Sequence, residues 1–214
     1  MHVLRTTSTL PILCFIACAS APPVDGPTFE SVRDRLAASP TRLLVSAPES
    51  SATITARRWT FDGWQDGSID VTLDGGELVA TADADGQLQL VSFGLTADPI
   101  TIPEGVFGKP ARLEDVRLAL ASKSLAMTTW NDGDDATATA RLDLDLSWSI
   151  AIDDATVPLG TQHLAPIPAD LVLSGSGDHV DATLVLHGSG VLWSWAGLLE
   201  LTELELELVA STTE

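Results

Sequence analysis

The chain has 214 residues, of which 45% are hydrophobic and 19% are charged, a balance typical of a packed globular protein rather than a disordered one. Its net charge is −19, and no Lys or Arg follows Arg141. Such a surface repels phosphate backbones and anionic lipid headgroups, which excludes nucleic acid as a partner. We therefore expect any specific partner to be neutral, apolar, cationic or a metal ion.

Residues 1–17 are typical of an export signal peptide. Arg5 supplies a positive charge, and the apolar run at 10–17 is much shorter than the about 20 residues that a membrane-spanning helix needs. The sequence Phe-Ile-Ala-Cys at 15–18 resembles the lipobox of bacterial lipoproteins, in which the cysteine is lipidated and becomes the first mature residue. The resemblance implies a lipid anchor on Cys18 and export to the cell envelope, at the outer membrane or in the periplasm. The alternative is cleavage after Ala21, at an Ala-x-Ala site, followed by secretion.

The cysteines agree with export. Cys14 and Cys18 are the only two in the chain, so the mature part has no disulfide, no cysteine nucleophile and no cysteine metal site. Residues 18–27 are small residues and prolines, which predicts a short tether between the anchor and a single folded domain at 28–214.

One short helix is predicted at 28–38. Thr28 is a candidate N-cap, and Phe29, Val32 and Leu36 follow at helical spacing. A Ser-Pro pair then ends the helix. Its apolar stripe is expected to cover one end of the core.

From residue 43 onward the hydrophobic period changes to two. Ile69, Val71 and Leu73 alternate with polar residues, and 137–152 continues the same alternation, which predicts strands with one buried face. The segment 198–209 also has period two, and its leucines would form no stripe on a helix, so we predict a strand. Turn residues, mostly Asx-Gly pairs, predict hairpin loops at 61–63, 74–76, 85–86, 131–133, 175–178 and 188–190.

Three alternating leucine segments, at 88–90, 142–146 and 204–208, indicate an internal repeat. Each comes after a segment of the form Asp-aliphatic-x-Leu, which begins at Asp70, Asp115 or Asp170. The first two leucine segments, together with the residues C-terminal to them, also match at a constant offset of 55 residues. A strand–hairpin–strand unit cannot bury its apolar face alone. The predicted fold is therefore all-β: a repeated antiparallel β-meander forming a curved sheet, a two-sheet sandwich or a half-barrel, with units starting near 70, 115 and 170.

The histidines give weak metal candidates. His179, Asp181 and His187 share one face of a predicted strand, whose other face carries Val180 and neighbouring apolar residues. Eight strand residues span about 26 Å, so the two histidines cannot hold one ion. His179 with Asp181 would need a third ligand from elsewhere, such as His163. We interpret this face as solvated and predict no metal there.

Acidic turns give the other weak candidates. Asp83 and Asp85 lie in one predicted turn, and Asp132 and Asp134 lie in another. Their oxygens suit calcium, but the flanking helices and distal Glu of an EF-hand are missing. A turn-forming role is the preferred interpretation, with calcium as the alternative and no cofactor predicted.

The sequence contains no recognisable catalytic motif. It lacks a G-x-S-x-G elbow, and nothing distinguishes its paired carboxylates, such as the Asp pair at 153–154, from other surface acids. We predict that the protein is not an enzyme; an enzyme of unknown type is the third hypothesis.

Six tryptophans and no tyrosine make the aromatic composition unusual. We favour a core-filling role for the tryptophans, and Trp148, Trp193 and Trp195 are the candidates for the alternative, which is to face a ligand from a concave apolar sheet surface. The sequence therefore suggests two functions: a lipid-anchored envelope protein with a structural or interaction role, or a carrier of apolar ligands in a groove. A cavity above roughly 300 Å³ would favour the carrier, and dense packing would disfavour it.

Overall fold

The fold is taken from a computed structural model, which describes residues 29–102, 110–131, 133–153, 155–176, 179–195 and 199–213. Cys18, the predicted signal peptide and the predicted tether lie outside the described residues. The described chain is mostly antiparallel strand, 75% of it, with one α-helix, which confirms the predicted class. Within it, no helix has the length and apolar character needed to cross a membrane.

The elements succeed one another in simple order, with a single 3₁₀ turn at Ala47–Glu49. The helix is α1 (Val32–Ala38), and the strands are β1 (Thr41–Val45), β2 (Ser51–Thr60), β3 (Gly63–Asp70), β4 (Leu73–Ala82), β5 (Leu88–Ala97), β6 (Ile100–Ile102), β7 (Ala111–Leu120), β8 (Ser124–Asn131), β9 (Asp135–Leu142), β10 (Leu144–Ile152), β11 (Ala155–His163), β12 (Ile167–Gly175), β13 (Val180–Trp195) and β14 (Leu199–Ser211).

Helix α1 begins four residues later than predicted. Its N-cap is Ser31, whose Oγ accepts a hydrogen bond from the backbone N–H of Asp34 at 3.1 Å. Thr28, the predicted cap, lies outside the described residues. The end before the Ser-Pro pair is as predicted, and Val32 and Leu36 are completely buried. The start differs because Ser31 satisfies a free N–H of the first turn, which is what a cap must do.

Eight strands close into a barrel. Their order around the ring is β5-β4-β1-β14-β13-β12-β9-β8, and the ring closes because Leu88 and Leu90 of β5 pair with Ala126 and Ser124 of β8. The predicted curved sheet or half-barrel is therefore a complete barrel. Helix α1 covers one end, where the N–H of Arg33 donates to the Gly133 carbonyl at 3.0 Å.

Two arms leave the barrel at the end opposite α1. The first arm is the hairpin β2–β3, which pairs with 199–207 of β14, whereas 210–211 of the same strand pair with β1. The second arm is β6, β7, β10 and β11, which joins the barrel where 94–96 of β5 pair with β7. Both β5 and β14 thus change partner along their length.

The alternating leucines line one continuous core. Leu204, Leu206 and Leu208 are buried on the inner face of β14, and Glu205 between them is exposed. This confirms the predicted strand at 198–209. The same inner-face alternation continues along β12 and β13.

Two predicted strands are each divided in two. The alternation at 137–152 breaks at Asp143, between β9 in the barrel and β10 in the second arm. The alternation at 69–73 breaks between β3 and β4, where the N–H of Val71 donates to the Ala52 carbonyl at 2.8 Å. Side chains keep alternating across both breaks, so the pattern identified the buried face but not the change of partner strand.

Two predicted hairpin loops are wrong, because their glycines lie inside strands. The loop at 74–76 is part of β4, where a Cβ on Gly76 would lie only 2.6 Å from the Gly94 carbonyl oxygen. The loop at 188–190 is part of β13, where Gly190 has a φ of +93°. Both sit at or beside register shifts, a common reason for glycine in a strand. The predicted turns at 61–63 and 85–86 do connect strands. Antiparallel strand pairs flank the predicted turns at 131–133 and 175–178, in which residues 132, 177 and 178 lie outside the described residues.

The predicted repeat has matching strand bounds but different pairing. Strands β10 and β12 begin and end 55 or 56 residues after β5 and β7 respectively. However, β5 belongs to the barrel and β10 to the second arm, and β7 and β12 also have different neighbours. Three related units therefore stay a prediction.

Candidate functional site

The two described tryptophans of the predicted ligand-facing set pack against each other inside the protein. The rings of Trp148 on β10 and Trp193 on β13 form an edge-to-face pair with centroids 5.3 Å apart. Trp148 is 8% exposed, and the indole N–H of the half-buried Trp193 donates to Gln162 Oε1 at 2.8 Å. The Trp148 Nε1 is buried and has no hydrogen-bond partner among the described residues. Trp195 lies two residues beyond Trp193 on β13, and its side chain is outside the described set.

The space between the arms and the barrel is filled by side chains. A cavity of about 40 Å³ remains there, enough for about one or two water molecules. It is lined by Ala52, Ile54, Val71, Leu73, Leu95, Thr96, Ala97, Val116, Leu118, Leu146, Leu164, Leu201, Leu204 and Leu206. Small-molecule sites usually have several hundred Å³, so this cavity is much smaller than a typical ligand site.

The acidic turns use their carboxylates to bind backbone. Asp83 Oδ1 accepts from the N–H groups of Asp85 and Gln87, at 2.9 and 2.8 Å, which ties the β4–β5 turn together. Asp134 Oδ1 accepts from the N–H of Val32 at 3.2 Å, at the first turn of α1. Asp132 lies outside the described residues. These contacts give Asp83 and Asp134 structural roles as turn and helix partners.

The histidine candidates are separated. His179 Nε2 lies 3.1 Å from Asp181 Oδ1, as two neighbours on one strand face would. His163 Nδ1 instead lies 3.0 Å from Asp145 Oδ1, across β10 and β11 in the second arm. The structure therefore does not bring His163 to His179 as a third ligand.

A different set of three potential ligands meets on the outer face of the barrel. His187 on β13 is directly opposite Glu205 on β14, with Nδ1 and Oε1 3.3 Å apart. Glu203 is two residues before Glu205 on the same strand. The three ligand atoms, one from each residue, all lie within 4.8 Å of one another. The side chains of His187 and Glu205 are each 58% exposed.

Sequence reasoning considered His187 along its own strand only and so missed both glutamates, which lie on the neighbouring strand in a shifted register. Near their turn, Trp193 pairs with Leu201, and continuing that register would place His187 opposite Glu207. Residues 190–192 instead face the single residue Thr202, which moves Glu205 into place. The signal was the Gly-Ser-Gly at 188–190, because glycine inside a strand often marks a bulge.

Exposed aromatic rings form the tip of the first arm. Trp59 and Trp64 face each other across the hairpin, with centroids 5.5 Å apart, and the Arg57 guanidinium lies 4.7 Å from the Trp64 ring centroid. Phe61, in the turn between them, is fully exposed. This exposed cluster has the ring composition common in protein interfaces.

The described residues thus carry three features with potential function, each at a different place. They are the Trp148–Trp193 pair, the His187 trio on the outer face, and the aromatic tip of the first arm. Compared with known proteins, the chain matches no family model, and no curated protein matches it at a significant level.

Proposed function

We propose that the protein is a non-enzymatic lipoprotein of the cell envelope, held to a membrane through a lipidated Cys18, with a structural or interaction role. One observation supports the structural or interaction role. The apolar faces of the barrel and arms are packed against each other, with a void of only about 40 Å³. A filled interior leaves the outer surface to make specific contacts.

The aromatic tip of the first arm supports the interaction role. Phe61 exposes its whole ring, and Trp59 and Trp64 are exposed beside it. Burying large rings of this kind against a partner releases much apolar surface from water, at a low cost in side-chain entropy. The tip lies at the opposite end of the fold from α1, near which the described chain begins. In a domain tethered through its N-terminal residues, the aromatic tip would therefore lie at the end that is far from the tether.

The anchor is tested by mass spectrometry of the full chain expressed in a bacterium that processes lipoproteins. The expected result is a mature protein that begins at Cys18 and carries a diacyl or triacyl mass on that residue. A Cys18→Ser variant should lose the added mass. A mature protein that begins after Ala21 without acyl mass would contradict anchoring and support secretion.

The alternative proposal is a carrier of apolar ligands. The nearly complete apolar lining of the cavity favours it, and the small volume means that the arms would have to separate to admit a chain. Native mass spectrometry of the Cys18→Ser protein tests this independently of the anchor. Lipid mass that is released on collisional activation would support the carrier. Its absence after incubation with phospholipid would leave the structural or interaction role.

A further inference from the structure

We propose that His187, Glu203 and Glu205 bind one zinc ion on the outer face of strands β13 and β14. The proposal rests on the positions of these residues and is independent of the anchor and of the function proposed above. It takes one ligand from β13 and two from β14, so both strands must be in register for the site to exist.

The donor atoms are already close to the arrangement that zinc requires. Zn²⁺ binds His N and Glu O at about 2.0–2.2 Å, which places two tetrahedral ligands about 3.4 Å apart. His187 Nδ1 and Glu205 Oε1 are 3.3 Å apart, and all three donors fit within 4.8 Å. Glu203 is the ligand that has to come closer for zinc to bind, and its carboxylate lies on the same strand as Glu205, two residues away.

A neighbouring strand orients the second carboxylate. Thr55 on β2 lies opposite Glu203, and its Oγ1 donates to Glu203 Oε2 at 3.3 Å. The same Oγ1 lies 2.7 Å from the Ser68 hydroxyl on β3, within hydrogen-bonding distance. Such outer contacts fix ligand orientation in metal sites. Two register shifts, one on each side of β14, lie next to Glu203.

Electrostatics and ligand type favour a transition-metal dication. Glu203, Glu205 and Glu207 share the outer face of β14, opposite the buried leucines between them, and like charges that close together repel. A dication shared by two of them relieves the repulsion, and a chain of net charge −19 attracts cations generally. The imidazole separates this trio from a purely acidic surface, because nitrogen ligands suit zinc and copper whereas calcium takes oxygen.

The chain contains its own controls. His163 with Asp145, and His179 with Asp181, are also exposed histidine–carboxylate pairs on sheet surfaces, but among the described residues neither belongs to a group of three possible ligands. If any exposed pair of this kind binds zinc, the three histidines should behave alike. If the third ligand matters, only His187 should bind it.

The test is zinc titration of the full chain by isothermal calorimetry, in millimolar CaCl₂ and with ZnCl₂ as the probe. The background carries Cys14→Ser and Cys18→Ser, because free thiols would bind zinc themselves. We expect one zinc per chain. His187→Ala should weaken binding at least about tenfold, and so should Glu205→Gln, since even outer contacts are typically worth about 10–100-fold. His163→Ala and His179→Ala should leave the affinity unchanged within about twofold.

Two further measurements separate ligation from a folding defect. Circular dichroism must match the parent for each variant, and NMR of the imidazole nitrogens should show zinc shifting the His187 signals alone. Thr55→Val should weaken zinc binding roughly tenfold while the His187 signals still respond. The proposal is overturned if the parent binds no zinc, if His187→Ala binds as tightly as the parent, or if the control variants lose binding equally.

Discussion

The substitution Leu206→Ala tests the inner face of β14 most directly. Leu206 is 3% exposed, lies opposite Leu186 on β13 and Ala52 on β2, and borders the cavity between the arms. The change removes three carbon groups, which costs about 2.4 kcal/mol at about 0.8 kcal/mol each. A residual void as large as the present 40 Å³ cavity adds about 1 kcal/mol at about 24 cal/mol per Å³. We therefore expect the free energy of unfolding to fall by about 3 kcal/mol.

The assay is urea denaturation monitored by tryptophan fluorescence. With a slope of about 2–3 kcal/mol per molar urea for a chain of this size, the midpoint should fall by about 1–1.5 M. Glu207→Ala, the next position on the strand, points outward and should change stability by less than about 0.5 kcal/mol. If Leu206→Ala costs no more than Glu207→Ala, then the leucines of this strand do not face the core, and β14 cannot pack in the barrel as proposed.

Three further substitutions test local features, each by the same denaturation assay. Gly76→Ala should lower the free energy of unfolding by about 1–3 kcal/mol, because the new Cβ would press on Leu95 and the neighbouring carbonyl. The control Gly67→Ala, whose Cβ meets nothing within 4 Å, should lower it little. Equal losses would contradict the close approach at Gly76. Ser31→Ala should cost about 1 kcal/mol, since it removes the cap of α1; no loss would mean that the cap is unimportant. Phe61→Ser should stay within about 0.5 kcal/mol, because the ring is fully exposed; a larger loss would show that the ring packs on something.

The sequence predicted the elements better than their arrangement. Period two located the strands and their buried faces, since alternation reports which side chains avoid water. The single helix and its end could be predicted from Val32, Leu36 and the Ser-Pro pair. Closure into a barrel was not predictable in this way, because it depends on Leu88 and Leu90 meeting β8, a contact between segments about 36 residues apart that leaves no local pattern.

The candidate site shows the same limit in another form. The sequence predicted that His187 lies on a solvated strand face without a metal. That prediction considered only the distance to other possible ligands along the same strand. The relevant distances run across strands, where directly opposite side chains are about 5 Å apart rather than 26 Å. Finding Glu205 from sequence would have required the register of β13 against β14. That register is shifted, because three residues of β13 face one residue of β14.

Glycine placement links the fold to the proposed zinc site. In β4 and β13, Gly76 and Gly190 sit at or beside register shifts inside strands, and neither ends a strand. A shift lets a long strand bend, and β14 must bend because it serves the barrel at one end and the first arm at the other. The shift at Thr202 brings Glu205, rather than Glu207, opposite His187. With continuous pairing Glu207 would lie opposite His187 instead, so a change that removed the shift in β13 should alter which glutamates flank the histidine.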